Sequence, residues 1–211
     1  MNLEPFIGAA GVTFQIAIGA WLVAMVAGLI IAGLREFEVP ILDRVLGFLV
    51  TLVRATPELV LLYIVFFGIA YIGIRFDSVP AAIVALGISE GAFLSEYFRG
   101  AILSVTGRQR AAAHSLGMSS FKTFSFIVLP QALPFAVPPM VNAFVGLLKT
   151  ATLAAAVGAP ELLYVGREMM ARTGDILQVS VLIVLVYVVI TIPLTLAASQ
   201  LEARARSRIV A

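Results

Sequence analysis

The sequence predicts an all-α integral membrane protein of about five transmembrane helices, with a water-exposed helix-turn-helix between the third and the fourth. Three observations carry this. Of 211 residues, 61% are hydrophobic and only 12% charged, and the mean hydropathy is +1.07, an apolar share well above that of a soluble domain. The apolar residues gather into stretches of roughly 20, the length that crosses a ~30 Å hydrocarbon core. Residues 106–130, in the middle of the chain, are amphipathic instead.

Composition also excludes several functions. The formal net charge is +2, so no nucleic-acid partner is expected. Cys is absent and His114 is the single histidine. That leaves neither disulfides nor a thiolate or imidazole cluster, and neither a metal nor a cofactor is expected on this chain. No Gly-x4-Gly-Lys-Ser/Thr run cradles nucleotide phosphates, and no Ser-His-Asp set or carboxylate pair offers catalytic geometry, so the chain does not read as an enzyme. The opening Met-Asn-Leu-Glu-Pro lacks the basic region of a cleaved signal peptide, and the first apolar segment is expected to stay in the membrane.

Segment one, residues 12–34, has no charged residue. Residues 35–44 form a short polar loop with Pro40 as its breaker. Segment two, 45–74, is longer than a bilayer requires and carries Arg54, Pro57 and Glu58 in its first half. It predicts an interfacial helix, a bend at Thr56-Pro57, and a crossing over 59–73. Segment three, 79–98, contains Glu90 and Glu96 and is followed by Arg99. In the insert, Thr106 and Gln109 make a capping box, Ala111, Ala112 and Ala113 favour helix, and Gly117 marks a C-cap. Ser119 or Ser120 then caps a second short helix through Phe121 to Leu129, which Pro130 closes unless it opens the next helix. Segment four, 131–148, contains Pro134, Pro138 and Pro139, tolerated where neighbours satisfy the freed carbonyls. Residues 149–175 are mixed, Ala-rich to Gly158 and polar beyond. Segment five is 176–198, and Arg204, Arg206 and Arg208 in the tail anchor it to the membrane surface. No internal repeat is visible, so 1–211 is taken as one domain.

Five crossings put the termini on opposite sides. Arg35, Arg44, Arg54, Arg99, Arg108, Arg110, Lys122 and the tail arginines fall on one side, and Arg75, Arg167 and Arg172 on the other. The positive-inside bias then places the N-terminus outside, and the C-terminus and the insert in the cytoplasm.

Charges at membrane depth are costly and therefore candidates for function. Glu90 suits an ammonium or guanidinium, and Lys149, beside the Thr150 and Thr152 hydroxyls, suits a carboxylate. Glu161 joins them as a pathway candidate. The structural alternative is that Glu90 and Lys149 pair with each other or with the partner subunit. Glu96 and Arg99, three residues apart, form an intrahelical or interface pair or a gate, while Arg54 snorkels to headgroups. Leu116, Met118, Phe121 and Phe124, framed by Arg108, Arg110 and Lys122, offer a surface for a partner protein or for anionic lipid; His114 is a surface contact there rather than a base.

Five motifs in order resemble the membrane subunits of binding-protein-dependent ABC importers, in the polar amino acid branch (histidine, glutamate, glutamine, arginine or opines). Ala111-Ala112-Ala113, Gly117 and Val128-Leu129-Pro130, preceded by Gln109, resemble the branch's Glu-Ala-Ala…Gly…Ile/Val-Leu-Pro signature. Arg54-Ala55-Thr56-Pro57 resembles Arg-Gly-Thr-Pro, and 96–105 resembles Glu-x-x-Arg-Gly-x-Ile-x-Ser-Val. Residues 147–153 resemble Leu-Leu-Lys-x-Thr-x-Leu, and Pro160-Glu161-Leu162 the branch's Pro-Glu-Leu.

The resemblance implies the transmembrane domain of a type I ABC importer in a bacterial inner membrane. Such a permease subunit pairs with an identical or homologous one, and an extracytoplasmic solute-binding protein delivers the polar amino acid or a relative such as an opine. Two ATP-binding cassette subunits hold the ATP and Mg. Gln109, Ala111, Ala112, Ala113, Leu116, Gly117, Leu129 and Pro130 would then be the residues that couple to those subunits. Departures from the pattern include Ala111, where the signature has Glu, Glu90, where the branch has a small residue, and Glu58, where it has an aliphatic one. The alternative reading is a membrane scaffold or channel-like protein without ATP coupling.

Overall fold

The computed structural model describes residues 4–36, 39–105 and 107–210, the last span without the side chains of 202 and 204–210. Thr106, the expected first cap of the insert, and the side chains of Arg204, Arg206 and Arg208 lie outside the described residues. Every regular element described is helical. In chain order these are α1 (Glu4–Glu36), α2 (Pro40–Ala55), α3 (Glu58–Tyr71), α4 (Ser78–Ser104), α5 (Gly107–Ser115), α6 (Ser120–Val157), α7 (Leu162–Thr173) and α8 (Ile176–Val210). Of these, α1, α4, α6 and the Ile176–Leu201 part of α8 are each long and apolar enough to cross a membrane.

The fifth crossing is built from a broken pair. Pro57 biases the residue before it away from the helical region, and Thr56 is extended (φ −91°, ψ 128°). α2 and α3 consequently meet at 103°. α2 leaves Ile41, Val45, Phe48, Leu49 and Leu52 exposed and buries only Val50, as a helix lying along an interface does.

Small residues set the tightest packing. Ala20, Ala24 and Gly28 on α1 face Gly87, Gly91 and Ser95 on α4, both at spacings of four, which lets two membrane helices approach closely. A Cβ at Gly87 would sit 2.7 Å from Val23 Cβ, and one at Gly28 would sit 3.0 Å from Leu94 Cβ. Gly19 meets Ile83, Gly87 meets Val23 and Gly28 meets Leu94, so position numbers rise together and the two helices run parallel. Parallel neighbours require the chain between them to return across the bilayer, and that chain is the bent α2–α3 pair, the candidate fifth span.

α6 runs antiparallel to α1. Val128, Ala132 and Ala136 lie in one core cluster with Ala24 and Ala32, while Leu147, Leu148 and Ala151 lie in another with Ile16 and Ala17. Trp21 donates its Nε1–H to the Met140 carbonyl at 2.8 Å and stacks edge-on against Phe144. α8 begins beside Phe6 and Ala9, through Val179 and Ile183, and then passes the Ile16 cluster at Ile190 and Leu194, so it is parallel to α1 and completes five crossings.

Two helical boundaries add to expectation. Of the two alternatives at Pro130 the second holds, since regular α-helix opens at Leu129 with Pro130 in its first turn. It does so without a gap, α6 running on from Ser120 through a π turn, Phe124–Val128. The bond that Pro130 cannot donate would have reached the carbonyl of Phe126, inside that wide turn, so the loss is absorbed there. α8 likewise continues through the basic tail instead of stopping at 198.

Candidate functional site

The insert closes as its residues dictate. Gly117 takes the left-handed conformation (φ +75°), with its N–H bonded to the His114 carbonyl at 2.9 Å and the Met118 N–H to the Ala113 carbonyl at 3.1 Å; together these make a Schellman cap. The next helix is capped by Ser119, whose hydroxyl accepts from the Lys122 N–H. Of the residues expected to couple, Gln109, Ala111, Ala112, Leu116, Gly117 and Pro130 are exposed, Leu129 is half-buried and Ala113 is buried. Leu116 is 83% exposed and Phe121 66%, large apolar side chains standing free on a surface edged by Arg108 and Lys122.

Two side chains assigned to that outer surface turn inward. Phe124 packs against the α1–α4 core cluster. Arg110 reaches back to the membrane helices, pairing with Glu36 at the end of α1 and donating from Nη2 to the Ile102 carbonyl at 2.9 Å. A cavity of about 260 Å³ lies beneath α5, lined by Glu36, Arg110, His114, Thr123 and Phe124.

A second charge cluster joins α1, α2 and α4. Arg35 donates from Nε to Asp43 (2.7 Å) and from Nη1 to Glu96 (2.6 Å), and Arg99 donates to the other oxygen of Glu96 (3.1 Å). The expected Glu96–Arg99 pair is thus half of a four-residue network centred on Arg35, which is 10% exposed at its side chain. Arg54 places its guanidinium 5.0 Å from the centroid of Phe93, a cation–π contact, rather than reaching only for headgroups. Sequence reading missed both Arg35 and Arg110 as organising residues, because their partners lie 61 and 74 positions away.

On the membrane helices, Glu90 lines a concave wall of about 510 Å³ with Tyr97, Pro138, Pro139, Asn142 and Gly146. The charge that acts on it is another carboxylate, Glu58. Lys149 is exposed and lines a separate groove of about 300 Å³ with Thr152, Tyr187 and Thr191. Among the described residues no ion pair joins Glu90 to Lys149, and the two line separate hollows. The Thr150 and Thr152 hydroxyls bond back to carbonyls of their own helix, Thr152 to Lys149 at 2.8 Å.

Glu161, expected on the pathway, is fully enclosed by its neighbours. It is 0% exposed, caps α7 by accepting from the Tyr164 N–H at 2.8 Å, and accepts from the Tyr187 hydroxyl at 3.3 Å. Beside it, the Thr13 hydroxyl accepts from the Leu162 N–H. Burial pushes the Glu161 carboxyl above the usual range, against the lowering effect of the Leu163 and Tyr164 amides and the Tyr187 hydroxyl. Its place is a packing joint between α1, α7 and α8, away from the Glu90 wall.

Five crossings, an exposed two-helix insert and a polar wall on the crossing helices define a membrane permease subunit. The chain belongs to the family described as binding-protein-dependent transport system inner membrane component, which matches residues 24–207. It is 38% identical over 164 residues, 78% of this chain and 75% of the other, to the probable glutamine ABC transporter permease protein GlnP of Bacillus subtilis (strain 168). It is 34% identical to the L-cystine transport system permease protein TcyB of the same organism, over 79% of this chain and 71% of that one. Among solved structures, an amino acid ABC transporter with histidines superposes with a TM-score of 0.86 at 25% identity, covering 95% of this chain and 94% of that one. The inward-facing MetNI methionine ABC transporter shares the fold, with a TM-score of 0.81 at 20% identity, covering 97% and 99%.

Proposed function

We propose that this chain carries a polar amino acid across a bacterial inner membrane, as one of two permease subunits in an importer driven by two ATP-binding cassette subunits. ATP and Mg belong to those subunits, and an extracytoplasmic binding protein supplies the substrate. The N-terminus lies outside and the C-terminus inside, with the insert in the cytoplasm. The relatives named for glutamine, cystine and amino-acid transport support the substrate class, and the excess of Arg and Lys on the insert side supports the orientation.

One observation carries the reading: the same molecule presents a carboxylate-bearing wall at membrane depth and, at one end, free apolar knobs on a capped two-helix insert. A short helix such as α5 gains its stability from a packing surface, and Leu116 at its end, beside Phe121 in the first turn of α6, awaits one. Docked into a groove of the ATPase subunit, they transmit its closure to α4 and α6, which flank the insert and form the Glu90 wall. There Glu90 meets the substrate's ammonium group, with Tyr97 and Asn142 as hydrogen-bond partners.

Glu90→Gln tests the wall. Losing one charged hydrogen bond, worth about 1.5–3 kcal/mol, lowers uptake by about ten- to a hundredfold while assembly with the ATPase stays normal. Failed assembly with the same substitution assigns Glu90 to structure instead. Copurification of an ATP-binding subunit with the full chain separates an importer from a scaffold or channel.

A further inference from the structure

α5 has nine residues, and only Ala113 among them is buried. So short a helix does not persist in water by itself, and one alanine methyl is little apolar area to hold it down. Beneath it lies the polar cavity of about 260 Å³, into whose lining the Thr123 hydroxyl is buried without a partner. The helix is therefore not seated on a packed floor. What bridges that hollow is Arg110.

The guanidinium is a planar fork that binds two acceptors at once. Here one acceptor is the Glu36 carboxylate at the end of α1, and the other is the Ile102 carbonyl in the last turn of α4. The Arg110 and Glu36 side chains are 24% and 16% exposed, so salt and water screen the pair less than a surface ion pair. The residue before Glu36 is Arg35, which holds Asp43 of α2 and Glu96 of α4. The last two residues of α1 thus grip α2, α4 and α5.

We propose that Arg110 is the strut of coupling: a positioning residue through which displacement of α5 reaches α1, by way of Glu36, and α4, by way of the Ile102 carbonyl. This rests on the reading of the insert as the ATPase dock. With the strut in place, α5 cannot move without both helices. Without it, α5 still presents Leu116 and Phe121 to the ATPase but yields into the hollow, and hydrolysis proceeds without moving the pathway.

The test uses the full permease reconstituted with its ATPase subunits and binding protein, in five forms: wild type, Arg110→Ala, Arg110→Glu, Glu36→Arg, and the exchanged pair Arg110→Glu with Glu36→Arg. Removing a charged hydrogen bond raises the ATP hydrolysed per substrate taken up by about tenfold or more in each single variant. The exchanged pair recovers much of the loss, though not the bond to Ile102. Alongside, hydrogen exchange of the permease in lipid nanodiscs reports on α5 directly. In Arg110→Ala the amides of 107–115 exchange about tenfold faster or more, while the interior of α4 is unchanged.

Unchanged stoichiometry and unchanged exchange in Arg110→Ala overturn the proposal. So does an exchanged pair that assembles yet stays as uncoupled as the singles. If a single variant fails to bind the ATPase, the nanodisc exchange decides alone, faster exchange in α5 supporting the strut and unchanged exchange refuting it. Failure of the dock reading shows separately, as a wild-type complex whose hydrolysis is not tied to uptake.

Discussion

Glu161 illustrates how burial and partners together decide what a charged residue does. Its two oxygens serve a backbone N–H at the start of α7 and the hydroxyl of Tyr187 on α8, so truncation opens two bonds inside the fold. Glu161→Ala is expected to lower the stability of the detergent-solubilised chain by about 2 kcal/mol, combining a lost cap with a Tyr187 hydroxyl that loses its carboxylate partner. Glu161→Gln keeps an acceptor for the cap and loses much less. Because the folded-state carboxyl titrates above its ordinary value of 4.5, the folded chain binds more protons than the unfolded one above that pH. Its contribution is present at low pH and lost as the pH rises through the raised folded value. Thermal unfolding as a function of pH checks this: wild type loses stability relative to Glu161→Gln on going upward from pH 4.5, and parallel curves contradict it.

At the scale of elements, the joint of α1 and α4 is the most constrained. Gly87 has Val23 Cβ 2.7 Å and the Ala20 carbonyl 3.0 Å from where its own Cβ would be, whereas Gly100 on the same helix has nothing within 4 Å. Gly87→Ala therefore forces a backbone shift and costs about 1–3 kcal/mol, while Gly100→Ala is neutral or slightly stabilising through helix propensity. Unfolding of the two purified variants side by side distinguishes them. The sequence carries a signal for this joint, small residues at spacings of four in Ala20-Ala24-Gly28 and Gly87-Gly91-Ser95, that the reading of apolar segments passed over. The Gly117 cap and the Thr56-Pro57 bend were legible, because local backbone chemistry fixes them. The continuity of α6 through Pro130 was not, since a π turn absorbs the lost bond and has no residue signature of its own. Nor were the grips of Arg35 and Arg110, which exist only after distant helix ends are brought together.

The whole molecule follows from one count: α1 and α4 are parallel with the bent α2–α3 pair between them, α6 is antiparallel to them and α8 parallel again, which makes five spans and places α5 and the α6–α8 connection on opposite sides. Composition predicted the membrane class and the motif order predicted the permease family, but pathway residues needed the third dimension. Glu90 and Glu161 look alike in sequence as isolated apolar-flanked carboxylates, yet one faces a concave wall and the other a packing joint. With no native Cys to interfere, Ser115→Cys and Thr173→Cys report sidedness: a membrane-impermeant thiol reagent reaches Thr173→Cys in intact cells and Ser115→Cys only after the membrane is opened. Both labelled from one side would remove a crossing. The central claim is that this wall moves its substrate only when an ATPase bound at the insert turns over. The most direct measurement is amino acid uptake by proteoliposomes holding the full complex with its binding protein, with ATP on the insert side. Uptake that requires ATP and stops when the ATPase is inactivated is the predicted result. Uptake that persists without ATP, running down its gradient, would contradict it.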